Sequence, residues 1–305
     1  MSQVNTNAIY DASGGQSAKL YGVSMRNGGT GWVNRLINGD MRIVQRAISA
    51  TVTAGTAVPT ASTGYPAVDR FFVYSTGANV IAARVAGAGN TQYRMQITGA
   101  ASVIAVGVGQ RIEQMNSYDL AGVSATLSVD LANSLLTTVT WTASYATTAD
   151  TFGTIGTPTK TQIATGTFTV NSTVTNYTAP IAIPAAATTG IEILLTVGAQ
   201  TSGTWTIGNM QLEAGSVATP FERRDIGREL IMCQRYYTRS PNTSYVVMPI
   251  PTYSPYMFKV TMRTVPTVTV TPALGTVTMG VIDNSGFYAN GSVTASASLT
   301  AEAEL

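Results

Sequence analysis

From about Gly31 to Phe221 the chain alternates short apolar stretches with clusters of turn residues, and helical periodicity is absent. The apolar stretches predict strands at Arg70–Ser75, Val80–Val85, Tyr93–Ile97, Val103–Val108, Ala125–Asp130, Val139–Tyr145, Thr165–Val170, Ile191–Thr196 and Trp205–Leu212. Around Thr165–Val170, Ile163, Thr165, Thr167 and Thr169 face opposite to Phe168 and Val170. In Trp205–Leu212 the apolar set is Trp205, Ile207 and, after a shift at Gly208, Met210. Such alternation marks antiparallel strands with one face against a core and the other toward solvent. Gly55, Pro59, Gly64-Tyr65-Pro66, Gly87–Asn90, Gly153–Pro158 and Ala185–Gly190 supply turns, and proline avoids the strand centres. Two packed sheets of this extent suit a jelly roll better than a smaller immunoglobulin-type sandwich.

One segment breaks the pattern. After Asp225, IGRELIMCQRYY places Ile226, Leu230, Cys233 and Tyr237 at helical spacing and predicts a helix over Ile226–Thr238, stopped by Ser240-Pro241-Asn242. Cys233 on that stripe reads as a buried small apolar residue. Shorter β pieces follow at Ser244–Met248, Phe258–Met262, Thr267–Thr271, Thr276–Ile282, Gly286–Ala289 and Val293–Ala301. A domain that small gains stability naturally by associating with copies of itself. Residues 1–31 are polar, hold Gly14-Gly15 and Gly28-Gly29, and read as an extended arm or a frayed end. The expected organisation is all-β: an N-terminal arm (1–31), a jelly-roll β-sandwich (32–224), a short linker helix (225–240) and a small C-terminal antiparallel β domain (241–305).

Composition then narrows the chemistry. The chain has no histidine, so a Ser-His-Asp or Cys-His site is impossible. Its single cysteine excludes an intrachain disulfide and a multi-cysteine zinc site; no metal or cofactor is expected, and folding in bacterial cytoplasm fits. The 17 basic and 15 acidic residues are scattered singly, without the basic stripe that binding nucleic acid needs. No window has the run of apolar residues that spans a membrane, and MSQVNTNAIYDASGG lacks a basic region followed by an apolar core, so neither membrane insertion nor a signal peptide is expected. A chain only 10% charged and rich in Thr, Ala, Ser and Gly suits sheets whose outer faces carry hydroxyls.

Five strings, in order, are similar to the jelly-roll module of tailed-bacteriophage tail fibres and other virion appendages: RLINGDMRIVQR (Arg35–Arg46), YPAVDRFFVYS (Tyr65–Ser75), QRIEQMNSYDLAGVSATLSVDL (Gln110–Leu131), WTIGNMQLEAGSVATPFERR (Trp205–Arg224) and RELIMCQRYYTRS (Arg228–Ser240). VNTNAIYDASGG near the start and ASASLTAEAEL at the end also resemble segments of such proteins. The module resembles carbohydrate-binding modules of the galactose-binding type in fold. The resemblance implies a virion location, homotrimeric assembly, attachment to other virion proteins and, often, contact with a host receptor. Physically, Asp69 and Arg70 can tie a loop to neighbouring backbone, Gln211 and Glu213 can bond adjacent strands, Phe221 can plug a turn, and Glu222, Arg223 and Arg224 can hold the exit to the helix.

Catalysis without histidine would need a carboxylate pair of the kind that hydrolyses glycans, and Asp119, Asp130 and Asp150 have no evident partner across a cleft. The chain is therefore expected not to be an enzyme, with glycan depolymerase the weakest alternative. Host-surface polysaccharide is a better-suited partner, because β-sandwiches bind sugars with exposed aromatics and a few polar groups. Tyr118, Trp141, Tyr145 and Phe152 are the candidate ligand contacts, each weighed against core packing, and Tyr253, Tyr256, Phe287 and Tyr288 form a second aromatic group. Receptor adhesion by a tail fibre and a purely architectural role, as a capsid decoration or collar fibre protein, both remain open.

Overall fold

The computed structural model describes residues 19–20, 23–24, 33–89, 91–240, 246–247, 254–274, 277–291 and 296–305. Within the expected arm, β1 (Lys19–Leu20) pairs antiparallel with β2 (Val23–Ser24). The rest of the arm up to residue 31 lies outside the described residues, as does Tyr253.

The sandwich is built from β3 (Ser49–Val52), β4 (Phe72–Thr76), β5 (Val80–Ala86), β6 (Tyr93–Thr98), β7 (Ala105–Ile112), β8 (Ser124–Asn133), β9 (Thr138–Ala146), β10 (Lys160–Thr169), β11 (Thr175–Ala182), β12 (Ile191–Val197) and β13 (Thr204–Ala214). One sheet has the order β10-β9-β12-β7-β4 and the other β11-β8-β13-β6-β5-β3, and the pairings in both are antiparallel. Every second side chain points between the sheets. Val139, Trp141 and Ala143 of β9 and Ile191, Ile193 and Leu195 of β12 share one buried core with Leu127, Val129 and Leu131 of β8. On β13 the inward set runs Trp205, Ile207, then Met210, Leu212, and the change of phase coincides with a bulge between Gly208 and Gln211. The shift expected at Gly208 is thus a real extra residue.

The sandwich strands not predicted, β3 and β11, are the two edges of the six-stranded sheet. Their Ser-, Ala- and Thr-rich sequences carry little apolar signal, and Pro180 sits in β11 where an edge tolerates a missing N–H. The predicted Val103–Val108 strand lies instead at Ala105–Ile112. Here Gly107 and Gly109 leave room on the outer face for the rings of Tyr74 and Phe72, which a Cβ at either position would overlap.

The helix is shorter than predicted: α1 covers Ile226–Gln234, capped by Asp225, whose side chain accepts from the backbone N–H groups of Gly227 and Arg228. Tyr237 belongs to β14 (Tyr237–Arg239), which pairs with β20 (Ser296–Glu302), and this pairing ends the helical run. The predicted stripe also rotates. Ile226 is half exposed, whereas Glu229, Cys233 and Gln234 are buried, because Glu229 is drawn inward by polar partners.

Beyond β14 lie β15 (Val246–Val247), β16 (Ser254–Met257), β17 (Thr267–Leu274), β18 (Val277–Ile282), β19 (Gly286–Gly291) and β20. Strands β14, β15 and β17 all pair with β20, while β16-β19-β18 form a second small sheet. The predicted Phe258–Met262 strand is a loop whose Phe258 and Met262 plug a small core with Val268, Phe287 and Leu299. Residues Asn34 to Leu305 form one compact unit.

Cys233 is 1% exposed and burial pushes its thiol well above the ordinary range, so it has little thiolate character. A thiol reagent such as dithionitrobenzoate should leave the native protein unmodified and label one thiol per chain in denaturant; rapid native labelling would contradict this burial.

Candidate functional site

The strings that carry the resemblance converge around one end of the sandwich, where they build a buried polar network. Asn34 and Asn38 lie on the segment leading into the sandwich. The Asn34 side chain donates to Met210 O and accepts from Leu36 N and Leu212 N (3.0, 2.9 and 3.1 Å). Asp69 accepts from Gln45 N and Gln45 Nε2 (2.9 and 2.6 Å), and Arg70 forms an ion pair with Glu304, donates to Arg111 O (2.7 Å) and lies over the Tyr236 ring. Arg111 in turn pairs with Glu192 at 2.9 Å and donates to Leu305 O at 2.7 Å. Lys160 also pairs with Glu192.

At the exit from β13, Gln211 Oε1 accepts from Glu222 N (2.8 Å), and Glu213 accepts from both Thr219 N and Thr219 Oγ1 (2.6 Å each). Glu222 accepts from Asn34 N (2.9 Å), and Arg224 donates to Leu36 O (3.0 Å) and pairs with Glu229. Arg223 lies over the Phe221 ring at 5.5 Å. Burial is the main cause that pushes the carboxyls of Asp69 and Glu229 above their usual range. Chemically the network is a fastening: its acids are matched by cations, N–H or O–H donors, some from neighbouring residues and others from distant parts of the chain.

The candidate carboxylates are likewise engaged. Exposed Asp119 pairs with half-buried Arg35 at 2.6 Å, and Asp150 accepts from Gln114 N at 2.7 Å and lies 4.0 Å from Arg263. Burial, with a smaller contribution from the Glu113 charge, raises Asp150, while Glu113 itself is clamped by Arg235 at 3.0 Å.

The outer faces of the two sheets differ. On the five-stranded sheet, Thr138, Thr140 and Thr142 of β9 lie opposite Thr169, Thr167 and Thr165 of β10, giving a hydroxyl surface without charge at its centre. On the six-stranded sheet, register aligns Asn176 of β11, Asp130 of β8 and Gly208 of β13, with Arg94 of β6 lying across Gly208. Asn176 Nδ2 donates to Asp130 Oδ1 (2.9 Å), and Asn209 Nδ2 donates to Asp130 Oδ2 and to Thr91 Oγ1 (2.7 Å each). Asn209 occupies the bulge with a positive φ of 42°, a conformation that asparagine tolerates better than most residues, and it is 8% exposed. Its Oδ1 and the Nε of Arg94 are buried without a hydrogen-bond partner. Asp130 and Asn176 therefore position an amide and leave two unmatched polar atoms along one row.

The aromatic candidates do not meet. Tyr118 is 56% exposed on a short 3-10 turn, whereas Trp141 is 8% exposed within the core beside Phe168, and Phe152 is 1% exposed under the Arg111 guanidinium. Tyr145 packs half-buried against the same core as Trp141. Trp141 and Phe152 are thus packing residues. In the second group Phe287 is core, Tyr256 packs on it with ring centroids 5.1 Å apart, and Tyr288 is exposed. Asn209 and Arg94 were missed; the available signal was a polar residue in the outward phase of an alternating strand, as Arg94 is beside Met95 and Asp130 between Val129 and Leu131.

No protein-family model and no curated protein matches the sequence. Among solved structures, the chain is similar to the enzymatically active domain of tailspike protein 4 of bacteriophage CBA120, with 15% identity and a TM-score of 0.36 over 52% of this chain and 21% of that one. It therefore spans about a fifth of the tailspike's length. A putative sugar-binding protein from Bacteroides thetaiotaomicron is similar at 11% identity and a TM-score of 0.38, over 60% of this chain and 100% of that one. A family 11 carbohydrate-binding module from Clostridium thermocellum, in complex with a mixed-linked tetrasaccharide, is similar at 12% identity and a TM-score of 0.33, over 57% and 99% respectively. These likenesses are distant, and the jelly-roll sandwich is established by the strand pairing itself.

Proposed function

We propose that this chain is a non-enzymatic appendage protein of a tailed-bacteriophage virion, made in the host cytoplasm, that binds host-surface glycan as a homotrimer and joins the particle through residues 1–31. The observation that carries glycan binding is the row of Asn176, Asp130, Gly208 and Arg94 on the outer face of the six-stranded sheet. Sugars are recognised by such preset amides, carboxylates and guanidinium groups. The five strings that resemble phage appendages support the virion role, and their residues interlock in the network described above. Exposed Met115, Tyr118, Ile226 and Ile231 support self-association, since burying them between copies would remove apolar surface from water.

The test is incubation of purified protein with polysaccharide from the host surface. Retention of a species with three times the chain mass by light scattering, without release of reducing ends, is expected, and three linked sites would strengthen weak single-site binding. Release of oligosaccharide, or a monomer that is not retained, would overturn the proposal.

A further inference from the structure

We infer that the junction between β20 and the sandwich is a pH-sensitive latch, in which Glu302 takes up a proton as the strand docks and releases it as the strand opens. Strands β14, β15 and β17 all pair with β20, so its docking decides whether that sheet holds together. Its residues alternate across the junction. Leu299, Ala301 and Ala303 enter the small core, while Glu302 and Glu304 turn to Arg46 and Arg70 of the sandwich.

The two acids are not equally matched. Glu304, with no exposed side-chain surface, is held by Arg70 and, at 3.3 Å, by Arg46. Glu302 has only Arg46, at 3.9 Å, and its carboxylate accepts no hydrogen bond among the described residues. Arg46 is itself divided. Its guanidinium lies 3.8 Å from the Tyr237 ring centroid and 5.4 Å from that of Tyr65, and it also attracts Asp69, which Gln45 binds through two N–H groups. Three carboxyls thus face two guanidinium groups, one of which, Arg70, is committed to Glu304. The other neighbours add no cation to Glu302: β17 places Thr267 opposite it, and β14 places Tyr237 there, with Arg239 two residues on, opposite Thr300. Arg263 donates to the backbone oxygens of Ala303 and Glu304, at 3.0 and 3.1 Å.

Of the three acids, Glu302 is the one open to protons from water, with its side chain 18% exposed against 0% for Glu304, and Asp69 1% exposed. Burial is the largest cause that raises its carboxyl above the ordinary value of 4.5; Arg46 lowers it by less, and the Glu304 charge raises it again. The neutral acid is therefore favoured in the docked strand. As pH rises from the ordinary value to the raised one, docking loses stability, and above the raised value the loss is complete and constant.

The experiment is hydrogen exchange of the full chain, read by mass spectrometry on peptides covering β20 between about pH 4 and 8 and corrected for intrinsic exchange, which measures opening of the strand. Protection should rise as pH falls, several-fold in total and by no more than about tenfold per pH unit for one proton. Glu302→Gln keeps the shape of the neutral acid, so at every pH it should show the protection that the parent reaches in acid. Asp119→Asn, which removes an exposed acid paired with Arg35 instead, should follow the parent. Protection that is flat or falls as pH drops would overturn the latch. So would a Glu302→Gln chain that keeps the parent's pH dependence, or that opens more readily than the parent at neutral pH, since ionised Glu302 would then be stabilising the docked strand through Arg46. Loss of the pH dependence in Asp119→Asn would place the proton elsewhere and overturn it equally.

Discussion

Glu304→Ala should destabilise the protein by about 3–5 kcal/mol, the range found when one partner of a buried ion pair is removed. Arg70 and Glu304 are each 1% exposed, and Arg46 also approaches Glu304, at 3.3 Å. Without the carboxylate, the Arg70 guanidinium keeps its bond to Arg111 O and its place over Tyr236, but neither contact neutralises its charge. Glu304→Gln retains an acceptor and should lose less. The double variant Arg70→Met with Glu304→Leu should recover much of the loss, because a buried ion pair can be replaced by apolar side chains at little cost, whereas half of one cannot. Urea unfolding followed by tryptophan fluorescence reads the midpoint. A Glu304→Ala midpoint matching the parent's would mean that the segment after β20 is not docked against the sandwich.

The same ion pair shows where reading the sequence stops. The sandwich strands were legible because large apolar residues alternate in them, and even the bulge at Gly208 left a trace as a break in phase. The edge strands β3 and β11 were not, because Ala, Thr and Ser give weak alternation and the burial of an edge depends on its one neighbour. In α1, the apolar run IMCQRYY extended the helical pattern across Tyr236 and Tyr237, but pairing of β14 with β20 uses Tyr237 in a strand. Local propensity yields there to a partner 65 residues away, since Tyr237 faces Glu302 in register.

The candidate site was the least legible part. Aromatic residues near strand ends were reasonable sugar contacts, yet Trp141 shares the inward phase of Val139 and Ala143, and Phe152 is drawn under Arg111. The residues that form the polar row are separated by the whole sandwich: Asn209 reaches Thr91 across 118 positions and Asp130 across 79. No spacing rule encodes such meetings. The roles assigned to Asp69, Arg70, Gln211, Glu213 and Glu222 were legible as ties, but their partners Gln45, Glu304 and Thr219 could be identified only from the fold.

Asn38→Ala should cost about 3 kcal/mol or more, for two separable reasons. Asn38 is fully buried with φ of 60°; its Nδ2 donates to Ile43 O (2.9 Å) and Asp69 O (3.0 Å), and its Oδ1 accepts from Ile43 N (2.8 Å). Alanine deletes all three bonds and leaves backbone groups without them, at about 1–3 kcal/mol for each group left buried and unsatisfied. It also places a Cβ-bearing residue without a local hydrogen bond in the left-handed region, which costs roughly 1–2 kcal/mol. Asn38→Gly loses the same bonds but not the favourable backbone, so it should be the more stable of the two by about 1 kcal/mol. Asn38→Asp keeps the acceptor for Ile43 N and removes the donors, while bringing a third carboxyl to a place where burial already raises Asp69 and Glu229. It should therefore recover stability as pH falls and that carboxyl is protonated, since each raised acid is best tolerated in its neutral form. Urea midpoints of the three variants at neutral and mildly acidic pH measure the terms separately. If Asn38→Ala equals Asn38→Gly, the positive φ contributes nothing, and if both equal the parent, the side chain does not hold the loop that delivers Asp69 and Arg70 to the network.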